Sequence, residues 1–343
     1  MNTCAWLAGL EDRARSALPA ELFEYVAQGS RDSVTAAEAT DAWRSVRFQP
    51  RALYDVTEVD AGITLLGRRS EVPWGVAPTT LQRAVHPAGE LAMARATAAA
   101  GGVLVVSSNA GTTFAEIGAT GVRWWLQAYL PADRTLAEPV LERAVAAGAD
   151  ALVLTVDTPV VATKYTAGRS VWDTVYPESI RVNFDPLHDS QPGSSKATDL
   201  GPHDLDWLAE RTGLPVVVKG ILRPDDARRC VQAGAAAVWV SNHGGRQLDR
   251  AASTFACLPG VLTAVEGAAE VYVDGGLRSG LDILVALALG ADAVFLGRLP
   301  LYALSEGEGA VARMHAELLD EVVEALRLSG CRSVADTRGI IHG

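Results

Sequence analysis

Three stretches of this chain repeat one local plan: Ala147-Gly-Ala-Asp-Ala-Leu-Val-Leu154, Ala233-Gly-Ala-Ala-Ala-Val-Trp-Val240 and Leu289-Gly-Ala-Asp-Ala-Val-Phe-Leu296. Each passes from a helix end through a glycine into a short apolar run. A glycine there tolerates the left-handed backbone on which helices commonly stop. Five more runs of the same kind bring the number to eight: Trp74–Ala77, Val103–Ser107, Trp124–Ala128, Ala151–Val156, Pro215–Lys219, Ala237–Ser241, Val271–Asp274 and Ala293–Leu296. Most are almost uninterruptedly apolar, as parallel strands covered on both faces must be. Helix-length stretches separate several of them, at Gly89–Ala99, Leu136–Ala147, Asp225–Ala233 and Leu281–Leu289. Eight alternating βα units in 343 residues predict a (β/α)8 TIM barrel, a fold of the α/β class. A doubly wound sheet is the alternative. It would show Gly-x-Gly-x-x-Gly after the first strand, and none is there.

Two segments fall outside the repeat. Residues 1–72 read as an N-terminal cap, helices and then a short β element, and residues 73–343 as the barrel. Residues 158–203 form a long loop after strand four, with little periodicity; a loop of that length is usually functional or mobile. It is expected to overhang the catalytic face like a lid.

Charge and cysteine content narrow the class. The net charge of −11 argues against nucleic acid as partner, since phosphate neutralisation needs an excess of Lys and Arg. The longest apolar run, Ile283–Leu289, falls far short of the ~20 residues of a membrane helix, so no membrane partner is expected. The four cysteines are scattered, without a Cys-x-x-Cys pair, so neither a disulfide framework nor a metal site is expected and a reducing cytoplasm fits. Met1–Asp12 shows no secretory signal pattern.

In a barrel, chemistry sits at the C-terminal strand ends, and here all eight ends are polar. In order they are Pro78-Thr79-Thr80, Ser107-Ser-Asn109, Gln127-Ala-Tyr129, Thr155-Val-Asp157, Lys219, Ser241-Asn-His243-Gly-Gly-Arg246, Asp274-Gly-Gly276-Leu-Arg278 and Gly297-Arg298. The last two combine glycines with Arg278 and Arg298 where barrels commonly hold a phosphate. Lys219 leaves an apolar strand and can face developing negative charge. His243, Asp157 and Arg246 read as base, orienting carboxylate and carboxylate-binding cation.

The segment Ser241-Asn-His-Gly-Gly-Arg-Gln-Leu-Asp249 resembles the signature of the FMN-dependent α-hydroxy-acid oxidase and dehydrogenase family, which includes glycolate oxidase, lactate oxidase and mandelate dehydrogenase. Further matches run in order along the chain: Phe23-Glu-Tyr-Val-Ala-Gln-Gly29, His86-Pro-Ala-Gly-Glu90, Thr155-Val-Asp-Thr-Pro159, Val218-Lys-Gly220, Asp274-Gly-Gly276 and Leu328-Ser-Gly-Cys-Arg332. The resemblance implies FMN across the barrel mouth. Its ring would meet Pro78, Thr79, Thr80, Ser107, Gln127 and Thr155, with Lys219 facing the site that gains negative charge. Ser241 would support the ribityl chain, and Asp274, Gly276, Arg278, Gly297 and Arg298 its phosphate. His243 would be the general base, Asp157 would stabilise its protonated form, and Tyr129 would bond near the reacting oxygen. Tyr25 and Arg246 would bind the substrate carboxylate. The implied reaction oxidises a 2-hydroxy acid to a 2-oxo acid, with O2 or another electron acceptor as second partner. A homo-oligomer, tetramer or octamer, is also implied.

The chain departs from the family pattern in three places. Lys164 stands where members carry an arginine that helps hold the carboxylate, and lysine lacks the bidentate fork. Asn109 replaces a bulky aromatic lining the pocket. The loop after strand four is shorter than in glycolate oxidase. Together these imply a roomier pocket for an aryl, mandelate-like or otherwise larger acid. At Thr80, where members carry Ala or Gly, the added bulk is expected to narrow the approach of O2.

Overall fold

The structure is a computed structural model that describes residues 4–165 and 168–342. Met1–Thr3 and the side chain of Cys4, parts of the stretches read for a leader and for free thiols, lie outside the described residues. A hairpin of β1 (Ile63–Leu65) and β2 (Arg68–Ser70) precedes eight parallel strands. These are β3 (Trp74–Val76), β4 (Val103–Ser107), β5 (Arg123–Ala128), β6 (Leu152–Thr155), β7 (Val216–Ile221), β8 (Ala237–Val240), β9 (Glu270–Val273) and β10 (Ala293–Leu296). They follow one another in sequence order, and β10 closes on β3 with Val294 beside Trp74 and Leu296 beside Val76. The expected (β/α)8 barrel is therefore present, with strand bounds within two residues of the reading. Gly148, Gly234 and Gly290 of the repeated unit have φ of 85°, 80° and 119°, the left-handed helix stop that the repeat required.

Side-chain parity along the strands organises the interior. Val103 and Val105, Trp125, Val153, Val217, Trp239, Tyr272 and Phe295 point inward and form one buried cluster. Their neighbours Leu104, Leu126, Leu154, Val218, Val238 and Val294 face the helices. Four large aromatics share the narrow interior with Ala151, Ala237 and Ala293, and Trp239 stacks on Phe295 with centroids 4.0 Å apart. Large and small residues thus alternate around the barrel, as close packing demands.

The first seventy residues serve both ends. Leu65 of the hairpin is fully buried in the inner cluster and plugs the N-terminal end, where Arg123 donates to the carbonyl of Leu65. The helices Ala20–Ala27 and Val34–Arg44 pack instead beside the C-terminal mouth. Among the described residues, the segment between β6 and the helix Pro202–Thr212 has as its helical elements only short 3-10 turns, at Val171–Asp173, Pro177–Ser179 and His188–Ser190. It is pinned to the turn after β5 by bonds from Ala132 and Asp133 to the carbonyls of Ser195 and Gly193. No helix among the described residues is long and apolar enough to cross a membrane.

Candidate active site

Continuing the inward parity one step past each apolar layer gives Ser107, Gln127, Thr155, Lys219, Ser241 and Asp274. One rule thus fills the barrel with hydrocarbon and then roofs it with polar groups. These residues are buried, and all but Ser241 line a cavity of about 390 Å³ at the C-terminal mouth. Pro78, Thr79, Thr80, Asn109, Tyr129, His243, Arg246, Gly276, Arg278, Gly297 and Arg298 complete its barrel side.

Lys219 is 4% exposed, so its charge must be matched. Its ammonium sits 3.0 Å from Asp274 Oδ2 and donates to Ser241 Oγ at 2.6 Å. Ser241 is fully buried beside Lys219, and its Oγ also accepts the His243 backbone N–H at 3.1 Å. It therefore ties the lysine to the histidine turn. That turn runs through left-handed backbone at His243 and Gly244, with φ of 58° and 63°. Such a conformation costs a non-glycine residue about 1–3 kcal/mol and persists only where surroundings enforce it.

His243 Nδ1 lies 2.8 Å from Asp157 Oδ1, which places Nδ1–H as the donor and leaves Nε2 free to accept. Burial would raise the Asp157 pKa. The charge and hydrogen bond of His243, followed by Lys219 and Thr158, outweigh it and hold the carboxyl below its usual value. Asp157 is thus ionised near neutrality. Tyr129 is pushed well above its normal range by burial and by Asp157, so it remains a phenol and a donor.

Two arginines are clamped on the end of the helix Ala20–Ala27. Arg246 Nη1 donates to the carbonyls of Tyr25 and Gln28, and Arg298 donates to those of Val26 and Gln28. These are the carbonyls a helix C-terminus leaves unsatisfied. The Arg246 guanidinium also packs 4.7 Å over the Tyr25 ring. Burial and the like charges of Arg278 and Arg246 push Arg298 down to about 10, so it is charged at neutral pH.

Several wall residues escaped the sequence reading. Thr158 donates to Asp157 and accepts from Gln247, adding a fixed dipole beside the His–Asp pair. Trp172 meets Tyr25 edge-on at 5.5 Å, and Lys196 stacks its ammonium 3.7 Å from the Tyr129 ring centroid. Arg181 and Ile180 also line the cavity. Thr158 is adjacent to Asp157 and was legible; the others sit on a loop with no period to place them.

Lys164 lines the cavity and donates to the carbonyls of Ala162 and Arg246. Burial, then Arg246 and Lys196, push its pKa down to about 8. Below that pH its charge attracts an anion, and above it the attraction is lost. KM for an anionic substrate is therefore expected to rise as pH passes about 8, and Lys164→Arg, which stays charged, should flatten that rise. Steady-state kinetics over about pH 7–9 check this; an unchanged profile in the variant contradicts it.

The wall fits FMN. Among the described residues, the buried polar atoms Gln127 Nε2, Thr155 Oγ1 and Asp274 Oδ1 of this wall have no hydrogen-bond partner. Buried groups without partners are rare and call for a ligand. Gly276 has φ of 91°, and a Cβ there would come within 2.3 Å of the Ala39 carbonyl, so only glycine fits at this point of the cavity wall, beside Arg278 and Arg298. Glycine backbone beside two cations is what a phosphate requires.

The sequence profile of the FMN-dependent dehydrogenase family matches residues 14–342. Glycolate oxidase 3 of Arabidopsis thaliana is 39% identical over 95% of this chain and 92% of its own. The 4-hydroxymandelate oxidase of Amycolatopsis orientalis is 40% identical over 97% and 96%. A crystal structure of mandelate oxidase with (S)-4-hydroxymandelic acid superposes with a TM-score of 0.90, at 37% identity, over 98% of each chain. With the barrel, the unpartnered polar roof and the two-arginine glycine cradle, these place the chain in the FMN-dependent dehydrogenase family, as an FMN-dependent oxidoreductase of 2-hydroxy acids.

Proposed function

We propose that the chain oxidises an aryl or otherwise large 2-hydroxy acid to its 2-oxo acid, with His243 as general base. The observation that carries this is His243, paired with Asp157 at 2.8 Å and lining the same cavity as Arg246. Bound FMN supplies the acceptor for two electrons. Pro78, Thr79, Thr80, Ser107, Gln127, Thr155 and Lys219 would hold its ring, and Asp274, Gly276, Arg278, Gly297 and Arg298 its ribityl phosphate. Ser241 acts through Lys219 and His243. The residues of this chain do the rest. Arg246, with Tyr25 and Lys164, grips the substrate carboxylate and so fixes the α-carbon and its hydroxyl. His243 Nε2 takes one of the two protons lost from the 2-hydroxyl and the α-carbon, and the other goes with the electron pair to the bound FMN. Asp157, already ionised, stabilises the imidazolium that results. Tyr129 donates to the reacting oxygen.

Asn109 is half-buried and leaves the pocket open where a large aromatic would fill it. Mandelate and 4-hydroxymandelate are therefore expected to exceed glycolate in kcat/KM by at least about tenfold, a modest return for burying one aryl group. Steady-state assays decide it, and a preference for glycolate contradicts it. We take O2 as electron acceptor. Thr80 lines the cavity, and its Oγ1 donates to the Asn109 carbonyl at 3.3 Å. Thr80→Gly is expected to speed reoxidation of the reduced enzyme by O2; equal rate constants remove the gating role. The exposed apolar residues Leu53, Tyr54 and Leu328 support a homo-oligomer, tetramer or octamer. The free thiols Cys230, Cys257 and Cys331 suit the cytoplasm.

A further inference from the structure

The cavity carries more positive charge than a phosphate and one carboxylate need. Arg246, Arg278, Arg298, Lys164 and Lys196 all line it, and none makes an ion pair with a carboxylate among the described residues. The other wall cations are matched: Lys219 by Asp274, Arg181 by Asp189, and His243, when protonated, by Asp157. A phosphomonoester brings about 1.5–2 negative charges, and a 2-hydroxy acid brings one. That leaves positive charge unanswered in a chain whose net charge is −11.

Lys196 is where the surplus is concentrated. It is half-buried, and its ammonium has no hydrogen-bond acceptor among the described residues, only the face of Tyr129. A partly desolvated ammonium without an acceptor is unfavourable, and one aromatic face offsets only part of that. Its backbone is fixed beside Pro131, in the turn after β5. Arg246 follows β8, three strands further round the barrel, and both cations line the same cavity with Lys164, whose pKa the two of them lower. Arg181 adds positive potential on the Lys196 side, and the acid that raises the Lys196 pKa among the described residues is Asp157, already bonded to His243.

We propose that the substrate is a 2-hydroxy acid with a second carboxylate at the far end of its side chain, and that Lys196 receives that group. The inference rests on the 2-hydroxy-acid reading above: Arg246 and Lys164 take the first carboxylate, and the side chain carries the second to Lys196 on the same cavity wall. Against a neutral pocket wall the second carboxylate would be a penalty; against Lys196 it is a gain.

The test uses the FMN-loaded enzyme near neutral pH and two unreactive probes that lack the 2-hydroxyl, phenylacetate and 4-carboxyphenylacetate. Dissociation constants come from the change in flavin absorbance. The dianion is expected to bind about tenfold tighter or better, the scale of one charge-assisted hydrogen bond, with the advantage shrinking in high salt. Lys196→Met should bring the affinity ratio to within about threefold of one, and Lys196→Arg should restore it. Equal or weaker binding of the dianion to the wild type overturns the proposal, as does a ratio that Lys196→Met leaves unmoved. The two readings fail separately. If the dianion is preferred but no 2-hydroxy acid, with one carboxylate or two, reduces the flavin, the Lys196 site stands and the oxidation reading falls. If 2-hydroxy acids reduce the flavin but the ratio is one, the reverse holds.

Discussion

His243→Ala is expected to slow substrate oxidation by at least about 10²–10⁴-fold, the usual cost of removing a general base, while FMN stays bound. The separation follows from the geometry. His243 reaches the cavity from the turn after β8, whereas the unpartnered polar atoms sit on Gln127, Thr155 and Asp274. Loss of the imidazole also strands the buried Asp157 carboxylate, whose low pKa depends on it. Asp157 is expected to become easier to protonate and to serve poorly as a substitute base. Anaerobic stopped-flow reduction by substrate, beside the flavin content of the purified variant, measures both. Reduction within tenfold of the wild type would sink the assignment.

Arg246→Met should reduce kcat/KM by about 10²-fold, through tighter demands on both binding and orientation. Among the described residues, only Nη1 of this guanidinium is committed, to the Tyr25 and Gln28 carbonyls, so Nε and Nη2 are available to a carboxylate as a planar fork. Methionine keeps much of the volume over the Tyr25 ring and removes the fork. Arg246→Lys should recover part of the loss, since a point charge replaces half of the clamp. KM and the limiting rate of reduction should both change. A variant with raised KM and an unaltered limiting rate would reduce Arg246 to a simple binding group. Thermal unfolding of the variant separates this from damage to the helix end that Arg246 also anchors.

Much of this architecture was legible in the chain because parallel strands declare themselves twice. Ala151–Leu154, Ala237–Val240 and Ala293–Leu296 are apolar on both faces, and each begins three residues after a helix-stopping glycine. The polar strand ends then read off directly, since period-two alternation carries Lys219 inward after Val217, and Asp274 after Tyr272. Ser241 obeys the same parity, yet it lies beside Lys219 rather than on the cavity wall. Depth within a layer depends on which neighbour reaches over which, and alternation does not encode that. The wall contributed by the loop after β6 was invisible for a different reason. Trp172, Arg181 and Lys196 are placed by contacts with Tyr25, Asn109 and Tyr129 made across distant parts of the chain. A segment built of 3-10 turns offers no repeating face from which such contacts could be read.

The account as a whole stands on one reaction, which anaerobic mixing of the purified enzyme with a panel of 2-hydroxy acids tests directly. The panel should include glycolate, lactate, mandelate, 4-hydroxymandelate and a 2-hydroxydicarboxylic acid, with flavin absorbance followed and the product identified. The expected result is full bleaching of the flavin by a large 2-hydroxy acid, with one 2-oxo acid formed for each flavin reduced. A flavin that remains oxidised with every member of the panel, in an enzyme that carries its full complement of FMN, would contradict it.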